Sequence, residues 1–280
     1  MRSAESLKGK IKAFANKHKL RPQEVLQMYF FERFLERLSL SEYKENLIVK
    51  GGFLISSMIG VSNRTTMDMD TTVKGLPLNE EAIKRVMTEI VEQDLGDDIQ
   101  FNIDVIEYIR ENSVYENFRV HLFAIYGKIK NAMKVDITTG DTITPGEVEW
   151  SYNCLFEDKK INIMAYPLVT VIAEKFETII TRNIATTRMR DFYDLHVLYE
   201  LNKSTLNFDL LETAIERTAQ RRGSSSIIGE NKDIIEDIMS DQYLQDFWQA
   251  YLRENRYIGD LEFHKVVSSL KEMSEKLGFT

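Results

Sequence analysis

Cysteine is nearly absent: Cys154 is the one copy in 280 residues. A lone cysteine makes no internal disulfide, and no other Cys or His stands near it at zinc-ligand spacing, so neither a disulfide scaffold nor a zinc module is expected. Nothing marks an oxidising compartment, and the cytoplasm is the expected location. Long apolar runs are missing as well. No stretch approaches the roughly 18 residues that span a bilayer, and the N-terminal segment lacks the apolar core of a signal peptide, so a soluble protein with no membrane partner is expected. The histidines, His18, His121, His196 and His264, show no ligand spacing and carry no expected chemistry.

An excess of positive charge is also lacking. The formal net charge of -8 argues against a protein that coats nucleic acid non-specifically. The charge is unevenly placed, however. Residues 1–21 carry Arg2, Lys8, Lys10, Lys12, Lys17, Lys19 and Arg21 against Glu5 alone, a net of +6 that leaves -14 for the rest. A basic arm on an acidic body can hold an RNA locally, and a solvated helix face is the alternative reading.

What is present is an ordinary globular composition, 43% apolar, sufficient for one large domain or two smaller ones. Helical spacing predicts helices over 3–18 and 22–38, the second with Pro22 in its first turn and Val25, Leu26, Tyr29, Phe30, Phe34 and Leu38 on its apolar side. Short strands are expected at 47–49 and 65–73. A helix follows over 78–93 with Asn79 as its N-cap. Three β-rich runs, 99–106, 118–126 and 132–138, separated by polar breaks at 111–117 and 127–131, predict a meander. A last strand is expected at 161–164. Beyond Pro167 the pattern becomes helical, over 168–181, 188–200, 207–221, 233–253 with a break near Ser240, and 262–277. The stretch 221–229, RRGSSSIIG, is the most loop-like. The fold class is therefore α/β (α+β): a domain over 1–165 that holds the strands and N-terminal helices, and a helical domain over 166–280.

The stretch with most chemistry is KGGFLISSMIGVSNRTTMDMD, residues 50–70. On a strand, side chains alternate faces, so Asp68 and Asp70 point the same way. Two close carboxylates repel unless a proton or cation sits between them, and hard oxygen ligands suit Mg²⁺. Gly51 and Gly52 permit a tight turn, and 53–59 has the length of a short helix whose free N–H groups would face a phosphate. Alternation along 132–138 puts Lys134, Asp136 and Thr138 on one strand face, making Asp136 a third carboxylate on the same expected sheet. Three carboxylates can hold the divalent ions of phosphoryl transfer; a solvated strand face is the alternative for a bare Asp-x-Asp. Arg64 could reach nucleotide phosphates bidentately, and Thr65 and Thr66 are either phosphate contacts or surface turn residues. Lys175 is a candidate point charge for a triphosphate, against an ordinary exposed lysine. Arg188, Asp191 and Asp194, three apart, share one broad helix face, which also suits a structural ion-pair cluster.

The order of GG, apolar segment, RTTMDMD, KVDIT, AEKFETII and RMRDFYDL resembles the four-motif pattern of AbiEii-type nucleotidyltransferase toxins, in the DNA polymerase β-like nucleotidyltransferase superfamily. The likeness runs from about residue 47 to 200. It implies a nucleotidyltransferase-fold mixed sheet with flanking helices and an appended helical domain. The implied activity is Mg²⁺-dependent transfer of a nucleoside monophosphate from an NTP, GTP among the candidates, to an acceptor hydroxyl, with tRNA the first acceptor. A toxin–antitoxin and phage-defence role is implied too, with a regulator antitoxin that need not bind the toxin. Onto this sequence the resemblance carries Gly51 and Gly52 as the phosphate-facing turn, Asp68 and Asp70 as metal ligands, Asp136 as the third carboxylate, Lys175 as a triphosphate contact and Asp191 as the acid of the fourth motif. Arg190 stands where the family commonly has lysine. The rival readings are the same chemistry on a protein or small molecule, and a non-catalytic nucleotide-binding regulator.

Overall fold

Helix α1 (Ala4–His18) begins where Ser3 accepts a hydrogen bond from the Ser6 N–H at 3.2 Å. Leu7, Ile11 and Ala15, spaced by four, form its buried stripe, worth about 1.5–3 kcal/mol for each fully buried large aliphatic side chain. Lys8, Lys10, Lys12 and Lys17 stay exposed. The computed structural model describes residues 3–77, 79–109 and 117–279, and its chain divides into two compact units, Met1–Gly140 with Glu147–Tyr166, and Asp141–Gly146 with Pro167–Thr280. Arg2, Leu78 and most of the polar break expected at 111–117 lie outside the described residues.

Helix α2 (Pro22–Leu40) departs from the one-sided helix that its spacing predicts: every residue from 27 to 38 is buried. Its charges are buried in pairs. Arg33 lies 2.8 Å from both Glu32 and Glu36, Lys159 reaches Glu36, and Arg37 grips Asp97 at 2.8 and 3.1 Å. Tertiary pairing supplies partners that helical periodicity cannot reveal.

The first unit holds a seven-stranded mixed sheet in the order β3-β4-β5-β2-β1-β7-β6. Its strands are β1 (Leu47–Lys50), β2 (Met69–Val73), β3 (Gln100–Ile109), β4 (Asn117–Tyr126), β5 (Ile129–Thr138), β6 (Val148–Asn153) and β7 (Lys160–Ala165). β3, β4 and β5 form the expected antiparallel meander, and β5 then pairs with β2 in parallel. The break expected at 127–131 shrinks to a two-residue turn, and residues 129–131 join β5. β6 was not expected, because Glu149, Ser151 and Asn153 interrupt the apolar pattern of what is an edge strand.

Burial alternates cleanly along β4 and β5, with Phe118, Val120, Leu122 and Ala124 facing the core beside Ile137, Val135 and Met133. Phe34 of α2 packs edge-on against Phe101 on that face. The opposite face carries the polar members of each strand. Helix α3 (Gly51–Ile59) follows β1 without a linker, and α4 (Glu80–Val91) is capped by Asn79 at 2.9 Å as expected.

The second unit is helical: α5 (Leu168–Arg182), α6 (Met189–Asn202), α7 (Phe208–Arg222), α8 (Ser225–Gly229), α9 (Asn231–Ser240), α10 (Gln242–Glu254) and α11 (Phe263–Lys276). The break near Ser240 falls at Asp241, which caps α10 by accepting from the Leu244 N–H at 2.8 Å. The stretch read as most loop-like contains α8, fixed by Ser224, whose hydroxyl donates to Glu177 at 2.7 Å. Among the described residues no helix is long and apolar enough to cross a membrane.

Candidate functional site

The site begins at the junction of β1 and α3. Gly51 has φ +61°, and a Cβ there would lie 2.0 Å from Asp70 Oδ2. Glycine is required on both counts, conformation and space. A Cβ on Gly52 would in turn meet Arg64 Nη2 at 2.8 Å and Thr66 Oγ1 at 2.9 Å. The glycine pair thus lets a carboxylate approach the first turn of α3 on one side and a buried arginine on the other. The Gly52 N–H points at Asp70 Oδ2 from 3.4 Å, a long contact in a field that favours negative charge.

Asp70 sits in a row of charges drawn across the sheet. Strand register places Glu107 of β3 opposite Arg119 of β4, Arg119 opposite Asp136 of β5, Asp136 beside Asp70 of β2, and Asp70 opposite Lys50 of β1. In-register neighbours share a face, so the row lies on the face away from the α2 core. Arg119 holds Asp136 with a two-pronged grip, Nε to Oδ1 and Nη2 to Oδ2, both at 2.7 Å. Lys50 donates to Thr138 Oγ1 at 2.8 Å, and Thr138, Thr72 and the Tyr166 hydroxyl form a chain at 3.1 and 2.7 Å beside it.

Burial pushes the Asp70 carboxyl above the usual carboxylate range; Lys50 opposes this, and the neighbouring charges of Asp136 and Asp68 add to it. Asp68 also acts on Arg119, whose own pKa is raised first by its hydrogen bonds to Asp136. Asp70 therefore feels both of the other acids. Asp68 reaches the cluster by a different route from the one alternation implied: β2 starts at Met69, and Asp68 lies in a bend in which Thr66 Oγ1 donates to its carbonyl at 3.1 Å.

The donor set suits a hard cation only in part. Asp68 and Asp70 offer carboxylate oxygens around which negative charge accumulates, as Mg²⁺ requires. Asp136 does not join them: both its oxygens are taken by Arg119, and among the described residues no three acidic, His or Cys groups assemble as a metal site. The sequence places Asp136 beside Asp70 but not Arg119 beside Asp136.

Arg64 and Thr65 also stand elsewhere than expected. Arg64 is 2% exposed, packed under Gly52 with Nη1 donating to the Thr65 carbonyl, and Thr65 and Thr66 are buried. Arg64 and Thr66 lie against Gly52 in the first turn of α3. Lys50 and Arg119, which the sequence did not single out as site residues, are the cations of the row. The signals were the position of Lys50 directly before the glycines and the place of Arg119 on the polar side of β4.

In the second unit Lys175 is not an outward-reaching lysine. Its Nζ lies 2.5 Å from Asp191 Oδ1 and 3.2 Å from Asp194 Oδ2, and Arg188 Nε donates to Asp191 Oδ2 at 2.5 Å. Burial alone would raise the Asp191 pKa, but Lys175 and Arg188 hold it below the usual range. Arg190 is exposed and outside this cluster. Replacing Lys175 with methionine leaves two buried carboxylates short of a counter-ion, and is expected to cost about 3 kcal/mol, read by urea unfolding. Because the folded pKa of Asp191 is depressed, its contribution is present above the unfolded value and is lost as pH falls through the folded one. The Lys175→Met deficit should therefore shrink toward acid pH.

A mixed sheet with two acids in register on adjacent parallel strands, beside a glycine-opened helix, defines a nucleotidyltransferase-like architecture. The JHP933 protein of Helicobacter pylori shares this fold at TM-score 0.51 and 14% identity, over 91% of this chain and 92% of that one. A second H. pylori structure, provisionally described as a nucleotidyltransferase, matches at TM-score 0.50 and 14% identity over 91% and 95% of the two chains. No curated protein matches the sequence. The family model "Nucleotidyl transferase AbiEii toxin, Type IV TA system" matches residues 33–269, and the chain belongs to that family. Membership makes it a nucleotidyltransferase-like toxin of a type IV toxin–antitoxin system, with a cognate antitoxin implied.

Proposed function

We propose that the protein transfers a nucleoside monophosphate from an NTP to an acceptor hydroxyl on tRNA, with release of pyrophosphate. The observation that carries this reading is the register of Asp70 with Asp136 beside the Gly51 turn, in a row where burial and neighbouring acids make Asp70 crave positive charge. Asp68 and Asp70 would hold Mg²⁺, which supplies charge neutralisation at the phosphates when bound. Asp70 positions and binds from under the first turn of α3. Lys50 balances Asp70 across the strand pair, as Arg119 balances Asp136. Asp136, once Arg119 releases it, would accept the proton of the acceptor hydroxyl. Lys175 and Asp191 act as a pair.

The exposed lysines of α1 support an RNA acceptor, because the chain is acidic elsewhere and the helix belongs to the same unit as the carboxylates. Growth arrest and phage defence would follow from blocked translation, and the antitoxin would act as a regulator. Incubation with each α-labelled NTP, Mg²⁺, total RNA and total protein tests the reading. Label in the RNA fraction, and then in purified tRNA, is expected. Label in the protein fraction moves the same chemistry to a protein acceptor, and NTP binding without pyrophosphate release on any acceptor makes the protein a non-catalytic regulator.

A further inference from the structure

We propose that Arg119 is a positioning residue that sets the metal affinity of the site by occupying Asp136. The inference rests on the reading of Asp68 and Asp70 as metal donors and goes beyond it. Arg119 takes both Asp136 oxygens at 2.7 Å, so the carboxylate best placed to complete a set of three is engaged by a cation built into the neighbouring strand. A guanidinium fork satisfies a carboxylate in just this planar, two-bonded way.

The pair is not sealed. The Arg119 side chain is 33% exposed and that of Asp136 18%, so a departing guanidinium reaches solvent and Asp136 keeps an opening through which a cation can replace it. Arg119 also has a second acid within reach of its field. Glu107 stands opposite it on β3, contributes to its raised pKa, and is itself exposed and 3.0 Å from His121 Nε2. A guanidinium leaving Asp136 therefore remains beside a negative charge, while Asp136 remains the in-register neighbour of Asp70. A cation entering between Asp68 and Asp70 competes with Arg119 for the third carboxylate, and the wild-type site binds it more weakly than three free acids would.

The bland reading is a cross-strand ion pair that only steadies β4 on β5. The two readings differ in sign. Loss of a merely structural pair leaves metal binding unchanged or weaker, whereas loss of a competitor tightens it.

The test is Mn²⁺ binding to the full chain without NTP, followed by electron paramagnetic resonance, with thermal melts as a check on folding. Arg119→Gln is expected to bind Mn²⁺ about fivefold more tightly than wild type, the scale of a partly exposed ion pair. Arg119→Lys, which lacks the fork, should fall between them and guards against a folding defect in the glutamine variant. In the Asp136→Asn background, adding Arg119→Gln should give no gain. A gain that persists there reflects the removal of a positive charge from the field and overturns the proposal, as does an unchanged or weaker affinity in Arg119→Gln alone. Asp70→Asn separates the two levels of the argument. If wild type binds in an Asp70-dependent way and Arg119→Gln changes nothing, the role of Arg119 falls alone. If neither wild type nor Arg119→Gln binds Mn²⁺, the metal reading falls and this inference with it.

Discussion

Asp70→Asn is expected to cut nucleotidyl transfer by about 10³-fold, the rate equivalent of losing several kcal/mol of charge stabilisation at a metal donor. The same substitution is expected to leave the fold as stable as wild type or more so. The native pKa of Asp70 is raised, chiefly by burial. A group whose pKa is raised on folding binds its proton more tightly in the native state, so stability falls as pH climbs from the ordinary carboxylate value through the raised one. Above the ordinary carboxylate value this group therefore carries a stability cost that asparagine does not. Thermal unfolding without metal should give Asp70→Asn a melting temperature at or above that of wild type, with the gap closing below the ordinary carboxylate pKa. A variant that loses both activity and stability would make Asp70 a structural ion-pair residue.

Gly51→Ala is expected to damage both properties. A side chain at φ +61° costs about 1–2 kcal/mol by itself, and the added Cβ would stand 2.0 Å from Asp70 Oδ2 and 2.8 Å from Asp70 Cβ. The carboxylate cannot stay where it is, because its own Cβ, and not just its tip, lies in the way. Transfer should fall to the level of Asp70→Asn, and the melting temperature should fall by several degrees. The two sites touch, so their effects should not add: in an Asp70→Ala background the contacts with the carboxyl group vanish and Gly51→Ala should cost less. Equal costs in both backgrounds would mean that the glycine serves the turn alone.

Local features of the fold were legible because they have local causes. Asn79 as a cap, the break at Ser240 and the meander of β3, β4 and β5 all follow from turn chemistry and side-chain period. The placing of Asp70 beside Asp136 was legible in outline, since alternation puts each on a polar strand face. What was hidden depends on partners distant in the chain. Arg64 reads as a phosphate contact, yet it packs against Gly52, and Lys175 reads as a point charge for a triphosphate, yet Asp191 and Asp194 close on it. Asp68 precedes β2 by one residue, and hydrogen bonds between the Thr66 hydroxyl and the Asp68 backbone, not strand pairing, hold it there. Register across five strands created the charged row, and no single-segment pattern encodes register.

The measurement closest to the centre of this account is label transfer from an α-labelled NTP with Mg²⁺, compared between wild type and Asp68→Ala. Covalent labelling of an acceptor by wild type with equimolar pyrophosphate is expected, with loss of both in a folded Asp68→Ala protein. Near-normal transfer by Asp68→Ala would contradict it.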